Sequence, residues 1–249
     1  MSIELRDLHK SFGGVEVLRG FSLEVREGET VAVIGASGSG KTVMLKHVVG
    51  LLEPDSGEVH VDGLNVGTLE QEELYELRRR VGYVFQFAAL FDSMTVAENV
   101  AMGLHRIAGM SVEEIDERVR ECLALVDLEG FGSQFPAELS GGQRKRAGLA
   151  RAIATRPKYL LYDEPTTGLD PVTTTVIDRL ILRTRDELGV TGLVITHDIQ
   201  SAYRTADRVG MLHQGRIRFM GTPEEMQRCE DPVVKGFVEG EPELVEEGA

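Results

Sequence analysis

The segment from Gly35 to Thr42 limits what this chain can fold into more than any other part of the sequence. It follows the apolar run Thr30–Ile34, precedes a helix-like stretch through Val49, and reads Gly35-Ala36-Ser37-Gly38-Ser39-Gly40-Lys41-Thr42. Glycines let successive backbone N–H groups point at one place, where the start of the following helix adds partial positive charge. The segment therefore predicts a phosphate-binding loop between a strand and a helix, with Lys41 reaching the β- and γ-phosphates and the Thr42 hydroxyl ligating Mg²⁺. The alternative is a flexible Gly/Ser turn.

The composition disfavours some classes of partner. The 249 residues carry 27 Lys and Arg against 41 Asp and Glu, a formal net charge of −14, which disfavours nucleic acid as a partner. The two cysteines, Cys122 and Cys229, match no metal or redox spacing. We find no signal-peptide pattern and no apolar run of about 18 residues that would span a membrane. We expect a soluble protein of a reducing, cytoplasmic compartment that reaches any membrane through a partner.

Three further apolar runs are predicted to be buried parallel strands, and one of them ends in two carboxylates. The runs are Val81–Phe85, Tyr159–Asp163 and Thr191–Thr196. In open α/β sheets, ligands gather at the carboxyl ends of the strands. We therefore predict that Asp163 holds the Mg²⁺ shell, directly or through water, and that Glu164 is the base or water-orienting group of a hydrolysis.

Gln86 and His197 follow the other two runs. The Gln86 amide is predicted to reach the metal or the attacking water, and the His197 ring to donate to a γ-phosphate or to that water. Taken alone, Gln86 and His197 are better explained as ordinary polar residues at a strand end. A Glu in a Pro-containing turn is often a surface residue, but Asp-Glu at the end of an apolar strand downstream of a phosphate-binding loop seldom is. Their shared position in the series favours a functional role.

A second candidate phosphate site lies about a hundred residues after the first. The sequence Leu139-Ser140-Gly141-Gly142-Gln143 opens a predicted helix, Arg144–Thr155. Ser140 is a good N-cap, and the two glycines leave backbone N–H groups accessible at the positive end of that helix. The alternative is a helix cap with no ligand.

The remaining segments predict two subdomains around the strands. Alternating residues near the N-terminus indicate antiparallel strands, and Phe12, beside a Gly-Gly turn, is placed to stack on a purine, with simple packing as the alternative. Signals for β-strands vanish from Phe87 to about Thr155, where helices are predicted at Ser93–Leu104 and Ser111–Val126. The stretch Phe87–Met94 is too apolar for a solvated loop, so we expect a partner to dock there.

The ordered set of motifs resembles the ATP-binding subunit of ABC transporters over nearly the whole chain. The resemblance implies an α/β fold: a P-loop NTPase (RecA-like) parallel sheet core with an N-terminal antiparallel β-subdomain and a helical insertion subdomain. It implies one domain, with its core in residues 1–85 and 156–229, helical subdomain in 86–155, and a C-terminal helix and acidic tail in 230–249. It implies ATP and Mg²⁺ as cofactors and places Asp170, in the Gly-Leu-Asp turn at 168–170, among the nucleotide-binding residues.

The resemblance also implies partners. A second copy binds head to tail, so that the loop at 35–42 of one copy and the segment at 139–143 of the other enclose each ATP. Three segments resemble the ATPase of Mla/Mce-associated phospholipid transporters: residues 85–100, 143–152 and 231–240. Such ATPases work at the cytoplasmic face of the inner membrane on a multi-span permease, with a small STAS-domain protein and an Mce-domain lipid-binding protein.

Other functions remain open at this point. One alternative is the ATPase of an importer for small polar solutes such as amino acids. Another is a soluble ABC protein that acts on nucleic acid or ribosomes, although the single cassette, the absence of heptads and the negative charge disfavour it. A kinase or GTPase that uses only the loop at 35–42 leaves the segment 139–143 and His197 unexplained.

Overall fold

The computed structural model describes residues 2–241, which contain ten strands and nine α-helices. The strands are β1 (Ser2–Phe12), β2 (Val15–Arg26), β3 (Thr30–Ile34), β4 (Ser56–Val61), β5 (Leu64–Asn65), β6 (Val81–Val84), β7 (Tyr159–Asp163), β8 (Thr191–Thr196), β9 (Arg208–His213) and β10 (Arg216–Gly221). The helices are α1 (Lys41–Val48), α2 (Gln71–Arg79), α3 (Val96–Ala101), α4 (Val112–Leu125), α5 (Gly141–Ile153), α6 (Pro171–Leu188), α7 (Ile199–Thr205), α8 (Pro223–Gln227) and α9 (Pro232–Glu239).

Of the predicted C-terminal helix and acidic tail, 230–249, the part beyond position 241 lies outside the described residues. None of the helices within residues 2–241 combines the length and the apolar character that a membrane crossing requires.

The chain divides into two compact units, and the first comprises residues up to 78 together with residues from 191 onward. Its N-terminal part is an antiparallel sheet in the order β2-β1-β4-β5. Leu5 pairs with Leu23 on one side and with Val59 on the other, and all three are buried because alternate residues of each strand face the same side. The prediction of an N-terminal antiparallel subdomain is confirmed.

The same unit contains a parallel arrangement around β3. Strand β3 pairs in parallel with β8 on one side and β9 on the other, and β10 returns antiparallel to β9. Every residue of β3 and of β8 is buried. Continuous apolar runs of this kind suit strands that are covered on both faces, which explains why the bounds of β3 and β8 could be predicted to the residue.

The second unit, residues 79–190, contains the parallel pair β6 and β7 with helices α3 to α6. Residues 85–158, all of them described, contain no strand, as predicted for the helical insertion. The predicted helix α4 begins with a capping box, in which the Ser111 hydroxyl accepts from the Glu114 N–H and the Glu114 carboxylate accepts from the Ser111 N–H. The predicted division of the chain at residues 85, 155 and 229 stays a prediction.

Two helix starts differ from their predicted positions. Helix α3 begins at Val96 rather than Ser93, because Thr95 and Glu98 form a capping box that fixes its first turn. Helix α5 begins at Gly141 rather than Arg144, because the box formed by Ser140 and Gln143 outweighs the low helix propensity of the two glycines.

Candidate nucleotide-binding site

The loop at 35–42 lies in the first unit, between the carboxyl end of β3 and helix α1. The buried Lys41 ammonium donates to the carbonyl oxygens of Gly35 at 2.8 Å and Ala36 at 3.0 Å. These bonds hold the positive charge of Lys41 over the glycine-rich loop that leads into helix α1. The structure therefore has the predicted order of strand, loop and helix, with the lysine at its centre.

Three glycines of the loop are required for different reasons. A Cβ at Gly35 would lie 2.6 Å from the Leu212 carbonyl oxygen, and a Cβ at Gly40 would lie 2.7 Å from Val17 Cγ1, so both positions are closed by packing. Gly38 has open space around it but a φ of +77°, which L-residues with a side chain rarely adopt. The loop therefore has its shape before any ligand binds.

The start of α1 has the properties of an oxyanion site. Gly40 is its N-cap and provides no side-chain hydrogen bond, whereas α3, α4, α5 and α8 each begin with a capping box. Within residues 2–241, the buried Ser39 hydroxyl oxygen has no hydrogen-bond partner. A helix start with no side-chain cap, an unsatisfied hydroxyl and a lysine in one loop suit the oxygens of a phosphate chain.

His197 and Phe12 belong to the same unit. Ile34 of β3 is the register partner of Thr196 of β8, so the loop and His197 leave neighbouring strands at the same end. Phe12 ends β1, its ring is 44% exposed, and the Lys10 ammonium lies 5.6 Å from the ring centroid. The exposure argues against simple packing for Phe12. Purine stacking by Phe12 and phosphate contact by His197 stay predictions.

The second unit brings the predicted carboxylates and Gln86 together. Val84 of β6 is the register partner of Tyr162 of β7. Gln86 lies two residues after Val84 and Glu164 two residues after Tyr162, so both follow the ends of adjacent strands. Asp163 is buried, and its Oδ2 accepts a hydrogen bond of 3.0 Å from the Tyr83 hydroxyl. Burial, and next the charge of Asp163, raise the pKa of Tyr83, so the phenol stays protonated and donates.

Glu164 has a strained backbone. Its φ is +50°, a left-handed conformation that costs a non-glycine residue on the order of 1–3 kcal/mol. The Thr167 hydroxyl donates to Glu164 Oε2 at 3.0 Å. Such strain persists only where surrounding contacts fix the residue, and it is common where a side chain must be aimed at a reacting group.

Lys145, a buried lysine that is not among the predicted site residues, contacts the backbone at both Gln86 and Glu164. The Lys145 ammonium donates to the Gln86 carbonyl and, at 3.2 Å, to the Glu164 carbonyl. Burial lowers the pKa of Lys145, while the charges of Glu164 and Asp163 oppose that shift. The sequence carries no signal for this contact, because the three positions are far apart along the chain.

The segment Gln86–Thr95 is held by two further side chains. Arg151 of α5 donates to the carbonyls of Ala88 at 2.7 Å and Ala89 at 2.5 Å. The fully buried Asn99 of α3 accepts from the Phe91 N–H at 2.8 Å and donates to the carbonyls of Phe91, Met94 and Thr95. The backbone of this segment is therefore fixed, although its phenylalanines are exposed.

The segment Ser140–Gln143 forms the start of α5. The Ser140 hydroxyl accepts from the Gln143 N–H at 3.3 Å, and the Gln143 side-chain oxygen accepts from the Ser140 N–H at 2.8 Å. A Cβ at Gly142 would lie 2.5 Å from Thr173 Cγ2, whereas the nearest atom to a Cβ at Gly141 would be Leu169 Cδ2 at 3.8 Å. Packing therefore explains Gly142 but not Gly141, and the predicted phosphate contact of this segment stays a prediction.

Asp170 is the N-cap of α6. Its carboxylate accepts from the N–H groups of Val172 at 2.9 Å and Thr173 at 3.0 Å, and the Thr173 hydroxyl also donates to it. These bonds, led by that of the Thr173 hydroxyl, lower the pKa of Asp170. The structure thus assigns Asp170 a role in starting α6, and its predicted contact with a nucleotide is not tested by this geometry.

The donor set suits Mg²⁺ that arrives with phosphate. In the described part of the chain, no cluster of three or more His, Cys, Asp or Glu side chains could hold a metal ion by itself. Mg²⁺ is commonly bound by one or two carboxylates together with substrate phosphates and water. One buried carboxylate, that of Asp163, with its orientation fixed by Tyr83, fits such a shell.

The strand, glycine-rich loop and helix with their buried lysine define the chain as a P-loop nucleotide-binding protein. Comparison with known proteins identifies the class more closely. Residues 18–167 match the family model described as "ABC transporter". The Arabidopsis thaliana protein TRIGALACTOSYLDIACYLGLYCEROL 3, chloroplastic, is 43% identical over 255 residues, covering 96% of this chain and 73% of that protein.

Two further relatives agree with that assignment. The sulfate/thiosulfate import ATP-binding protein CysA of Caulobacter vibrioides is 44% identical over 242 residues, covering 96% of this chain and 70% of that protein. A solved dimeric structure of the ATP-binding cassette MJ0796, in a post-hydrolysis state bound to ADP and Pi, has a TM-score of 0.81 and 36% identity, covering 89% of this chain and 98% of that one. The chain belongs to the ABC transporter family, as an ATP-binding subunit.

Proposed function

We propose that this subunit hydrolyses ATP to move phospholipid between membranes through a multi-span permease. The observation that carries the lipid assignment is the segment Phe87–Met94. It lies within a stretch that resembles the Mla/Mce-associated ATPases, and it presents apolar side chains from a fixed backbone.

The hydrolytic step uses the residues that the sequence analysis selected. Water attacks the γ-phosphorus and ADP leaves, with Glu164 orienting the water or accepting its proton, and with Gln86 and His197 beside the reacting group. Thr42, Gln86 and Asp163 would hold Mg²⁺, which would neutralise charge on the phosphates. The phosphates and purine are bound by Gly35, Ala36, Ser37, Gly38, Ser39, Gly40, Lys41, Thr42, Phe12 and Asp170, and by Ser140, Gly141, Gly142 and Gln143 of a second copy. Support comes from family membership and from the dimeric, ADP- and Pi-bound state of the solved relative.

The exposed phenylalanines support docking of a permease helix on the segment Phe87–Met94. The side chain of Phe87 is 83% exposed and that of Phe91 is 51% exposed. Arg151 and Asn99 already order the backbone beneath them, so a partner buries apolar surface without first ordering a loop. Burial of one phenylalanine contributes about 2 kcal/mol.

The names of relatives support two candidate cargoes. The Arabidopsis relative is named after trigalactosyldiacylglycerol, a name that favours a lipid. The Caulobacter relative is named as a sulfate/thiosulfate import protein, and this favours the second candidate, an importer for small polar solutes. The resemblance of residues 85–100, 143–152 and 231–240 to the Mla/Mce ATPases supports the lipid.

The proposal includes the remaining partners and the location. An Mce-domain lipid-binding protein and a STAS-domain protein complete the complex, which works at the cytoplasmic face of the inner membrane. These assignments rest on the resemblance to the Mla/Mce-associated transporters.

Transport by the reconstituted complex tests the cargo. The subunit is purified with its permease in detergent, reconstituted into vesicles, and supplied with ATP and with labelled phospholipid, labelled sulfate or a labelled amino acid. We expect ATP-dependent transfer of the phospholipid. Transfer of sulfate or an amino acid, with no movement of phospholipid, would contradict the lipid assignment and leave the ATPase assignment intact.

Docking is tested with a matched pair of variants. Phe87→Glu places a charge in the proposed contact and should weaken permease binding about 30-fold, the equivalent of about 2 kcal/mol. Val112→Glu is the control, since Val112 is 68% exposed at the first turn of α4, where an acidic residue is tolerated. Equal retention of the permease by the two variants would show that the docking site lies elsewhere.

A further inference from the structure

We propose that Lys145 is a positioning residue for ATP hydrolysis, which holds the backbone at Gln86 and at Glu164 in fixed relation to helix α5. The proposal rests on the roles proposed above for those two residues. Lys145 does not contact substrate in this account, and it acts through the two strand ends that it joins.

The contacts of Lys145 are unusual for a lysine. Its side chain is 8% exposed, and its ammonium donates to the backbone carbonyls that follow β6 and β7 rather than to solvent. A buried cation is costly unless hydrogen bonds and nearby charges compensate it. Here the carbonyls of Gln86 and Glu164 supply the bonds, and the neighbouring carboxylates of Asp163 and Glu164 supply the charge.

The bond to Glu164 is one of the contacts that hold a strained residue in its conformation, beside the Thr167 N–H, which donates to the same carbonyl at 3.3 Å. Glu164 has a φ of +50°, and the orientation of its carbonyl depends on that backbone conformation. Fixing the carbonyl therefore fixes the direction in which the Glu164 side chain leaves the backbone. Loss of the bond lets the backbone relax and moves the carboxylate relative to the attacking water, and a displacement of about 1 Å can cost about 100-fold in rate.

The same lysine connects hydrolysis to the start of α5. Lys145 lies on the second turn of the helix that begins at Ser140–Gln143. A movement of that helix, such as one caused by nucleotide bound to the segment Ser140–Gln143, is transmitted through one side chain to both strand ends. The neighbouring Arg146 also donates to two carbonyls, but to those of Val126 and Asp127, after α4.

Arg146 therefore provides a matched control for the experiment. Lys145→Met, Lys145→Arg and Arg146→Met are compared for kcat, the KM for ATP, binding of a fluorescent ATP analogue and the thermal midpoint. For Lys145→Met we expect kcat to fall about 10- to 100-fold, with nucleotide binding and KM changed less than about threefold. Lys145→Arg should recover part of kcat because it restores a donor, and Arg146→Met should lose thermal stability but keep kcat within about twofold.

Three results would overturn the proposal. One is a wild-type kcat in folded Lys145→Met. Another is an equal fall in kcat in Arg146→Met and Lys145→Met when the two variants lose the same number of degrees in thermal midpoint, because the fall would then result from lost stability. If Lys145→Met does not fold, the third result applies: a folded Lys145→Arg with no measurable kcat would reject the proposal, because the restored donor should recover part of the turnover. A Glu164→Gln variant that keeps wild-type turnover would instead refute the proposed catalytic site, independently of Lys145.

Discussion

Substitution of Gly141 by Ala separates a ligand-binding role of the segment Ser140–Gln143 from a purely structural one. Gly141 is the first residue of α5, its φ is not in the left-handed region, and a Cβ there makes only ordinary contact, 3.8 Å from Leu169 Cδ2. The fold therefore has no evident need for glycine at this position. A phosphate that approaches the N–H groups of Gly141 and Gly142 does need it, because a methyl group would occupy the space beside them.

The expected change in stability is small and favourable. Alanine has the higher helix propensity, and Gly→Ala at a compatible position stabilises a protein by about 0.4–1 kcal/mol. For a chain of this size, that corresponds to a rise in thermal midpoint of about 1–4 °C. The expected change in ATP turnover is a loss on the order of 100-fold, the typical effect of losing one preorganised donor to a developing negative charge.

Gly142→Ala is the comparison variant. A Cβ there would lie 2.5 Å from Thr173 Cγ2, and overpacking of this kind costs about 1–3 kcal/mol. We expect Gly142→Ala to lose a few degrees of thermal midpoint, and Gly141→Ala to lose none. Scanning calorimetry and phosphate release measured on the same samples provide both readouts. Wild-type turnover in Gly141→Ala would refute the phosphate-binding role and leave a helix cap as the whole function of the segment.

Three further outcomes follow from the same contacts. Ser140→Arg should abolish hydrolysis without weakening ATP binding. If the segment acts on the nucleotide of a second copy, mixing this variant with Lys41→Ala protein should restore part of the activity. No recovery at any mixing ratio would count against that arrangement. Tyr83→Phe removes the donor to Asp163 and should raise the Mg²⁺ concentration for half-maximal turnover about tenfold, with ATP affinity little changed; an unchanged Mg²⁺ dependence would show that the hydroxyl does not orient the carboxylate. Asn99→Ala leaves buried backbone groups of the docking segment without partners and should lower the free energy of unfolding by about 2–4 kcal/mol. The thermal midpoint should then fall by on the order of 10 °C, and a fall below about 2 °C would contradict this prediction.

The parts of the fold that the sequence predicted best are those set by local pattern. The bounds of β3, β7 and β8 were predicted to the residue, because a strand covered on both faces is a continuous apolar run between turn signals. The predicted start of α3 at Ser93 is wrong because Thr95 and Glu98, whose spacing is that of a capping box, fix the first turn at Val96.

The contacts that hold the candidate site together could not be predicted in the same way. Lys145 and Arg151 resemble ordinary basic residues of a surface helix, and Asn99 an ordinary polar residue of α3. Each donates to backbone carbonyls of the segment after β6, and Lys145 also to that of Glu164. A backbone carbonyl is present at every residue, so the sequence carries no signal that marks which carbonyls these side chains meet.

The most direct test of the account is the turnover of ATP by the Glu164→Gln variant. This change keeps the size and polarity of the side chain, removes the carboxylate, and leaves the residues of the phosphate-binding loop, 35–42, unchanged. ATP affinity and phosphate release are measured on the same wild-type and variant samples with Mg²⁺ present. We expect affinity within about twofold of wild type and phosphate release reduced at least about 100-fold. Phosphate release at the wild-type rate would contradict the assignment of Glu164 and, with it, the proposed hydrolytic site.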